Sequence, residues 1–433
     1  MNELFERHRA VIPSWVGVYY DEPIEIVSGK GCRVTDRQGR SYLDFFAGIL
    51  TNMLGYDVPE VRDAVERQIA TGVVHTSTVY LIRNQVELAE KIARLSGIPG
   101  AKVFFTNSGT EANETALLAA LAARHADQVL ALRGSYHGRS FGAVAVTGNA
   151  AWKPSGHSPF GTHYLHGTDR HADPYASLSD ADYVKACVAD LRDLLAGGVH
   201  PADVGCLLAE PIQGVGGFTM PPDGLLAAYK EVLDEHGILL ISDEVQTGWG
   251  RTGEHFWGIG AHGVTPDAMT FAKGLGNGFA IGGVVARGEL LDGIRGNGIS
   301  TFGGNPVATA AGNAVLDYLL SHDLQRNAAV TGGLIIGGLR EAAAALDVVG
   351  EVRGKGLMFA VDLVDPATRQ PSPKLAARML EATRERGLLI GKGGMGGNAL
   401  RMAPPLTLSE AEAKEGLQIL TDALAAVNEE ATR

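Results

Sequence analysis

The sequence predicts an α/β fold: a large, mostly parallel β-sheet covered by helices on both faces, with a smaller unit built from both ends of the chain. Three observations predict it. Short apolar runs alternate with helical patterns through the middle of the chain. The length of 433 residues, 45% of them apolar and 20% charged, suits a protein with a sizeable buried core and more than one domain. The two ends lack the regular alternation of the middle.

Residues 24–46 carry short alternating segments and turn signals such as Asp36-Arg37-Gln38-Gly39. Val103–Thr106 is β-branched and aromatic and reads as a strand, followed by a helix from Thr110 to His125. Gln128–Leu132 and Cys206–Ala209 are strand-like. A helix at Leu225–His236 leads into a buried strand at Ile238–Ser242, with further strands at Ala268–Phe271 and Gly282–Ala286. Residues 306–345 are alanine-rich and helical. The tail gives a strand at Leu357–Val361, a helix at Pro373–Arg386 and a last helix near Ser409, where Ser409-x-x-Glu412 fits a capping box. Residues 66–319 are read as the large domain, and 1–65 with 320–433 as the small one.

Composition excludes several function classes. A formal net charge of −12 without a basic stripe argues against nucleic acid and anionic membrane as partners. Three scattered cysteines, Cys32, Cys187 and Cys206, do not make a disulfide framework or a zinc site, and point to a reducing, cytoplasmic setting. The first residues lack a basic and apolar leader pattern. The apolar stretch Ala328–Leu339 is too short to span a bilayer, so its Gly333-x-x-x-Gly337 spacing reads as a tightly packed soluble helix.

Three segments carry chemistry. In Ser108-Gly109-Thr110-Glu111 a strand gives way to a helix, and free amides beside two hydroxyls make an anion site, although Ser108-x-x-Glu111 is also a plain capping box. Asp243 stands at the carboxyl end of an apolar strand, the edge where open α/β sheets bind ligands. An Asp there suits a metal ligand, a cap or a charge partner, and the adjacent Glu244 points away if the strand continues. Lys273 follows a buried strand and precedes glycines, a setting in which a lysine loses charge and attacks carbonyls. Phosphate site, carboxylate and lysine together suit one cofactor, pyridoxal 5′-phosphate, whose phosphate, ring nitrogen and aldehyde they would meet. Tyr136-His137-Gly138 could supply a ring against the cofactor, or Tyr136 is an interior tyrosine.

These segments resemble the class III pyridoxal-phosphate aminotransferases of the aspartate-aminotransferase-like fold, fold type I. The likeness is carried by Ser108–Asn113, Tyr136–Gly138, Glu210-Pro211-Ile212-Gln213-Gly214, Asp243–Gly248, Lys273-Gly274, Thr301-Phe302-Gly303-Gly304-Asn305-Pro306 and Leu400-Arg401-Met402-Ala403-Pro404-Pro405, in family order between residues 40 and 406. The resemblance implies that Lys273 condenses with the cofactor's aldehyde and that Asp243 pairs with its ring nitrogen. It implies that Ser108, Gly109 and Thr110 hold the phosphate. Tyr136 would stack on the ring with His137 beside it; Gln246 would bond the ring oxygen, with Val245 also at the cofactor. Arg401 would clamp a substrate carboxylate. Glu210 would order the site from behind, and Thr301 would reach the phosphate of the other subunit in a homodimer, or a tetramer, with shared sites.

One departure sharpens the reading. Ornithine, acetylornithine and 4-aminobutyrate branches carry a glutamate that gates the arginine, and here that position is Val215. Gln213–Gly217, Tyr42–Gly48 and His255-Phe256-Trp257-Gly258 look more like the alanine–glyoxylate and β-aminoisobutyrate–pyruvate branch. The implied activity is a ping-pong transfer from alanine, β-alanine, β-aminoisobutyrate or another ω-amino acid to pyruvate, glyoxylate or 2-oxoglutarate. The alternatives are a phospho-lyase or an amino-acid racemase or epimerase with the same cofactor, a 4-aminobutyrate or ornithine-type aminotransferase, and, remotely, a non-catalytic binding protein. Tyr19, Tyr20, Val79, Tyr80 and Trp152 are candidate pocket residues, and the Gly391–Gly397 run reads as a flexible loop near the substrate mouth or a plain glycine-rich turn.

Overall fold

The computed structural model describes residues 3–168 and 174–433. Near the N-terminus, β1 (Ile26–Lys30), β2 (Arg33–Asp36) and β3 (Ser41–Asp44) form an antiparallel meander. The middle of the chain contributes β4 (Ala101–Thr106), β5 (Gln128–Leu132), β6 (Gly161–Leu165), β7 (Val204–Ala209), β8 (Leu239–Asp243), β9 (Ala268–Phe271) and β10 (Gly282–Arg287). They make one seven-stranded sheet in the order β4-β10-β9-β8-β7-β5-β6. Only β10 runs against its neighbours; the remaining pairings are parallel. C-terminal strands β11 (Val349–Lys355), β12 (Met358–Leu363), β14 (Gly391–Gly393) and β15 (Ala399–Met402) form a third sheet. Between them, β13 (Leu388–Leu389) joins β3 in parallel, tying the C-terminal part to the N-terminal meander.

The central strands are unbroken apolar runs because both their faces are covered. Every residue of β7 and β8 is buried. Their side chains alternate between two cores: Leu207 and Leu240 enter one, with Phe271 of β9, and Cys206, Leu208 and Ile241 the other. The helix Gly109–Arg124 packs its alanine face into the second core.

Some expectations need correction. β6 is an edge strand of mixed residues, half-buried and paired only to β5, so its signal is weak in sequence. Helices Pro59–Ala70, Arg83–Ser96 and Asp180–Asp193 add to those expected. The helical stretch 306–345 is two helices, Pro306–Ser321 and Leu324–Ala343, broken where Asp323 turns left-handed at φ 49°. Gly332 meets the Gly356 backbone so closely that a Cβ would lie 2.0 Å from its carbonyl oxygen, whereas Gly333 and Gly337 face open space. The tight packing of this helix therefore runs through Gly332 and not through the Gly333-x-x-x-Gly337 pair. The Ser409 capping box forms in both directions. That of Ser108 is one-sided: Ser108 Oγ accepts from Glu111 N, while the Glu111 carboxylate turns to Asn107. No helix among the described residues is long and apolar enough to cross a membrane.

Candidate active site

Every parallel strand of the large sheet ends on the same edge, and the expected residues follow those ends. Ser108 follows β4, Tyr136 and His137 follow β5, Glu210 follows β7, Asp243 closes β8 and Lys273 follows β9. They surround one cavity of about 370 Å³, whose wall also includes Gly109, Thr110, Val245 and Gln246. Residues more than a hundred positions apart meet here because the sheet brings its strand ends to one edge.

On one side lies the N-terminus of helix Gly109–Arg124, whose first amides have no acceptor within the helix. Gly138 passes close by with φ 136°, and a Cβ there would stand 2.5 Å from Thr110 Oγ1. Backbone therefore crowds the Ser108–Thr110 turn on a scale that only glycine permits. The combination of helix end and hydroxyls suits an anion.

Asp243 is clamped. Its Oδ2 accepts from Asn113 Nδ2 and contacts His137 Nδ1, each at 2.8 Å, and its Oδ1 accepts from Val245 N at 3.1 Å. Asn113 also donates to His137 O at 2.8 Å, and Thr270 Oγ1 donates to Asn113 Oδ1 at 2.7 Å. Glu244 points away as expected. It accepts from Gly258 N and Ile259 N at 2.8 Å and anchors that loop.

Lys273 has φ 42°, a left-handed backbone that is uncommon for a residue with a side chain. Burial holds its amine below the ordinary lysine range, and the Arg401 charge pushes in the same direction against Asp243 and Glu210. Gln246 also lines the cavity, and its buried Oε1 has no hydrogen-bond partner among the described residues. An orphaned amide facing a cavity fits a polar group of a bound molecule. Burial raises the Glu210 carboxyl, His137 opposes this, and its oxygens accept from Tyr136 N at 2.9 Å and Gly214 N at 2.7 Å. Glu210 thus ties two loops of the wall together.

Arg401 stands next to the cavity and not in its wall. Its Nη1 donates to Gly214 O at 2.8 Å and its Nε to Lys392 O at 3.1 Å. The guanidinium carbon lies 5.6 Å from the centre of the Phe46 ring and 5.5 Å from that of Phe218. Burial lowers its pKa, with Tyr19 opposing. Among the described residues no carboxylate hydrogen-bonds this guanidinium; Glu210 acts on it only as a nearby charge, in the same direction as Tyr19. Thr301 is exposed and lies outside the cavity of its own chain. Of the suggested pocket residues none is in the cavity wall. Tyr19 stacks on Phe46 at 6.1 Å, and Trp152 meets Tyr136 edge-on at 5.4 Å. Tyr20 lies over Arg384, and Val79 and Tyr80 are exposed. The Gly391–Gly397 run is part strand and part turn: Gly394–Gly397 is the glycine turn, closed by Gly397 N donating to Gly394 O at 3.0 Å. Its first part is β14, paired to β15, and Gly393 lies where a Cβ would be 2.7 Å from Arg401 Nε.

Sequence reasoning gave no role to Asn113, Phe46 or Phe218. An asparagine inside the first turns of an alanine-rich helix is a poor helix former, and that was the available signal for Asn113. A left-handed turn at Ala47–Leu50 also escaped it. All four φ angles are positive, and Thr51 after them enters the cavity wall. The Asp44 carboxylate holds the entry to this turn by accepting from Phe46 N and Ala47 N.

An α/β enzyme with a desolvated lysine and a fixed carboxylate at the sheet edge is the class this geometry defines. The chain matches the family described as aminotransferase class-III over residues 17–424. It is 39% identical over 401 residues to alanine–glyoxylate aminotransferase 2 homolog 2, mitochondrial, of Arabidopsis thaliana, covering 91% of this chain and 81% of that protein. A phospholyase from Arthrobacter solved in complex with phosphoethanolamine superimposes with TM-score 0.87 and 35% identity, covering 98% of this chain and all (100%) of that one. An amine transaminase from an uncultivated Pseudomonas species, in its PLP-bound form, gives TM-score 0.87 and 32% identity over 94% of this chain and 95% of that one. The chain belongs to the class-III aminotransferase family, and its architecture is the fold type I of the solved transaminases.

Proposed function

We propose that this enzyme uses pyridoxal 5′-phosphate to move an amino group from an amino acid to a 2-oxo acid in a ping-pong cycle. The observation that carries the reading is the meeting of Lys273, Asp243 and the Ser108–Thr110 helix end in one cavity. Ser108, Gly109 and Thr110 would hold the phosphate, Asp243 the ring nitrogen and Gln246 a ring oxygen, with Tyr136, His137 and Val245 around the ring. When bound, the cofactor withdraws electrons from the substrate carbon that bears nitrogen. The residues do the rest. Asn113 and His137 hold the Asp243 carboxyl group at a fixed point. Lys273 Nζ, eased toward its neutral form by burial, takes a proton from the substrate carbon and returns one. Arg401 binds the carboxylate common to both substrates. With no carboxylate hydrogen-bonded to it among the described residues, it serves donor and acceptor alike. Glu210 holds the loops that carry Tyr136 and Gly214.

Donors are alanine, β-alanine, β-aminoisobutyrate or another ω-amino acid; acceptors are pyruvate, glyoxylate or 2-oxoglutarate. The same reading assigns residues 66–319 to the cofactor domain and 1–65 with 320–433 to the small domain. It makes the enzyme a homodimer with Thr301 serving the partner's site, which the exposed Thr301, Phe302, Ile299, Tyr80 and Leu81 support. Three free, buried cysteines support a cytoplasmic setting.

A donor-by-acceptor matrix on purified enzyme tests the reading. Turnover of each donor should require a 2-oxo acid. A second reading, a phospho-lyase, is supported by the likeness to the Arthrobacter protein. If phosphoethanolamine releases phosphate and ammonia without an acceptor while amino acids stay inert, that second reading replaces the first.

A further inference from the structure

We propose that Arg353, paired with Asp362, is a positioning residue for carboxylate recognition: it fixes the Gly214–Phe218 turn and, through that turn, the direction of the Arg401 guanidinium. The inference rests on the reading of Arg401 as the substrate-carboxylate site.

Arg353 lies on β11 opposite Ala360 of β12, diagonal to Asp362 on that strand, whose direct partner is Glu351. Its Nη1 and Nη2 grip the two Asp362 oxygens at 2.7 and 2.6 Å, and Nη1 also reaches Glu351 at 2.8 Å. An ion pair serving only this sheet would stop there. Instead Nε and Nη2 both turn onto a single acceptor, Gly217 O, at 3.0 and 2.7 Å. That carbonyl belongs to a turn 136 residues earlier in the chain. The acid pair holds the guanidinium plane, and the plane aims two donors at one oxygen, a task for which a single ammonium is poorly shaped.

The turn has no room to settle elsewhere. Gly217 has φ 98°, and a Cβ on it would lie 3.0 Å from Gly394 Cα and from Ala399 Cβ. From the other side Gly394 N donates to Val215 O at 3.0 Å. Inside the turn, Gly217 N donates to Gly214 O at 3.2 Å, the oxygen that also accepts from Arg401 Nη1. The next residue, Phe218, places its ring under the Arg401 charge. One turn therefore supplies both a carbonyl and a ring face to Arg401, and Arg353 is its anchor in the C-terminal sheet. No carboxylate among the described residues hydrogen-bonds Arg401, so these neutral partners, together with Lys392 O and Tyr19, set its direction.

The test uses holoenzyme, with Arg353→Lys as the main variant because it keeps the charge beside Asp362, and Arg353→Met as the stronger one. Propionate serves as the probe, its affinity measured by calorimetry. Arg353→Lys is expected to weaken propionate binding roughly fivefold, the scale of one lost hydrogen bond, and Arg353→Met more. The KM of the 2-oxo acid should rise by a similar factor with kcat nearly unchanged, while affinity for pyridoxal phosphate stays within about twofold. A folded Arg353→Lys enzyme with unchanged propionate affinity overturns the proposal. So does a parallel loss of propionate and cofactor affinity, which marks a merely structural pair. Arg401→Met is the control for the underlying reading: if it leaves propionate affinity intact, the carboxylate site is elsewhere and both fall. If Arg401→Met abolishes propionate binding and Arg353→Lys does not weaken it, only the role of Arg353 falls.

Discussion

Replacing Asn113 exposes how the acid of the site is held. Asn113 is buried and makes three hydrogen bonds, one to the charged Asp243 and two to His137 O and Thr270 Oγ1. A bond to a charged group contributes about 2 kcal/mol and each neutral one about 1 kcal/mol, so Asn113→Ala should cost about 4 kcal/mol. At an unfolding entropy of about 2 cal/mol/K per residue, that lowers the melting temperature of the whole chain by about 5 °C if it unfolds as one unit. Asn113→Asp is the sharper variant, because it keeps the shape and puts a second carboxylate 2.8 Å from Asp243 Oδ2, where the amide nitrogen stood. The new pair shares a proton, so a carboxyl pKa is raised in the folded state. A raised acid weakens folding as pH climbs past the unfolded carboxyl value near about 4 and on through the folded value. Calorimetry of the cofactor-free variant should therefore show it closer to wild type at pH 5 than at pH 8. A difference from wild type that does not grow between these pH values refutes the argument, as does an Asn113→Ala protein that melts with wild type.

Lys273→Ala should remove turnover and the visible absorption band formed on adding pyridoxal phosphate; a variant that retains both would show that the lysine is elsewhere. Gly138→Ala combines a φ of 136° with a Cβ 2.5 Å from Thr110 Oγ1, so cofactor affinity should fall by at least about tenfold in a spectroscopic titration. Unchanged affinity would place the anion away from Thr110. Arg401→Met removes a charge that holds the Lys273 amine down, so in the variant the lysine pKa rises and the neutral form appears only at higher pH. The pH profile of kcat should move to the alkaline side, and a shift toward acid would contradict the placement of Arg401 beside Lys273.

Strands at Ala268–Phe271 and Gln128–Leu132 and the last helix were legible because each states its own pattern: a short apolar run, or a cap followed by periodic side chains. β6 and the break at Asp323 were not, since an edge strand needs little apolar surface and a single left-handed residue leaves no periodic trace. At the site, Ser108, Asp243 and Lys273 could be named in advance because a strand end followed by a polar or glycine-rich turn is a local signature. The residue types alone thus determined the chemistry available to this chain: an anion cradle, a carboxylate and a lysine, and the family to which they belong. Only the tertiary structure decided what surrounds them. Asn113 and His137 reach Asp243 across 130 and 106 positions, and Arg401 lies near both the Phe46 and the Phe218 ring with carbonyl oxygens as its hydrogen-bond acceptors. Those contacts depend on which strand ends lie side by side. Sheet order and long-range packing fix that arrangement, and no short stretch of sequence carries it.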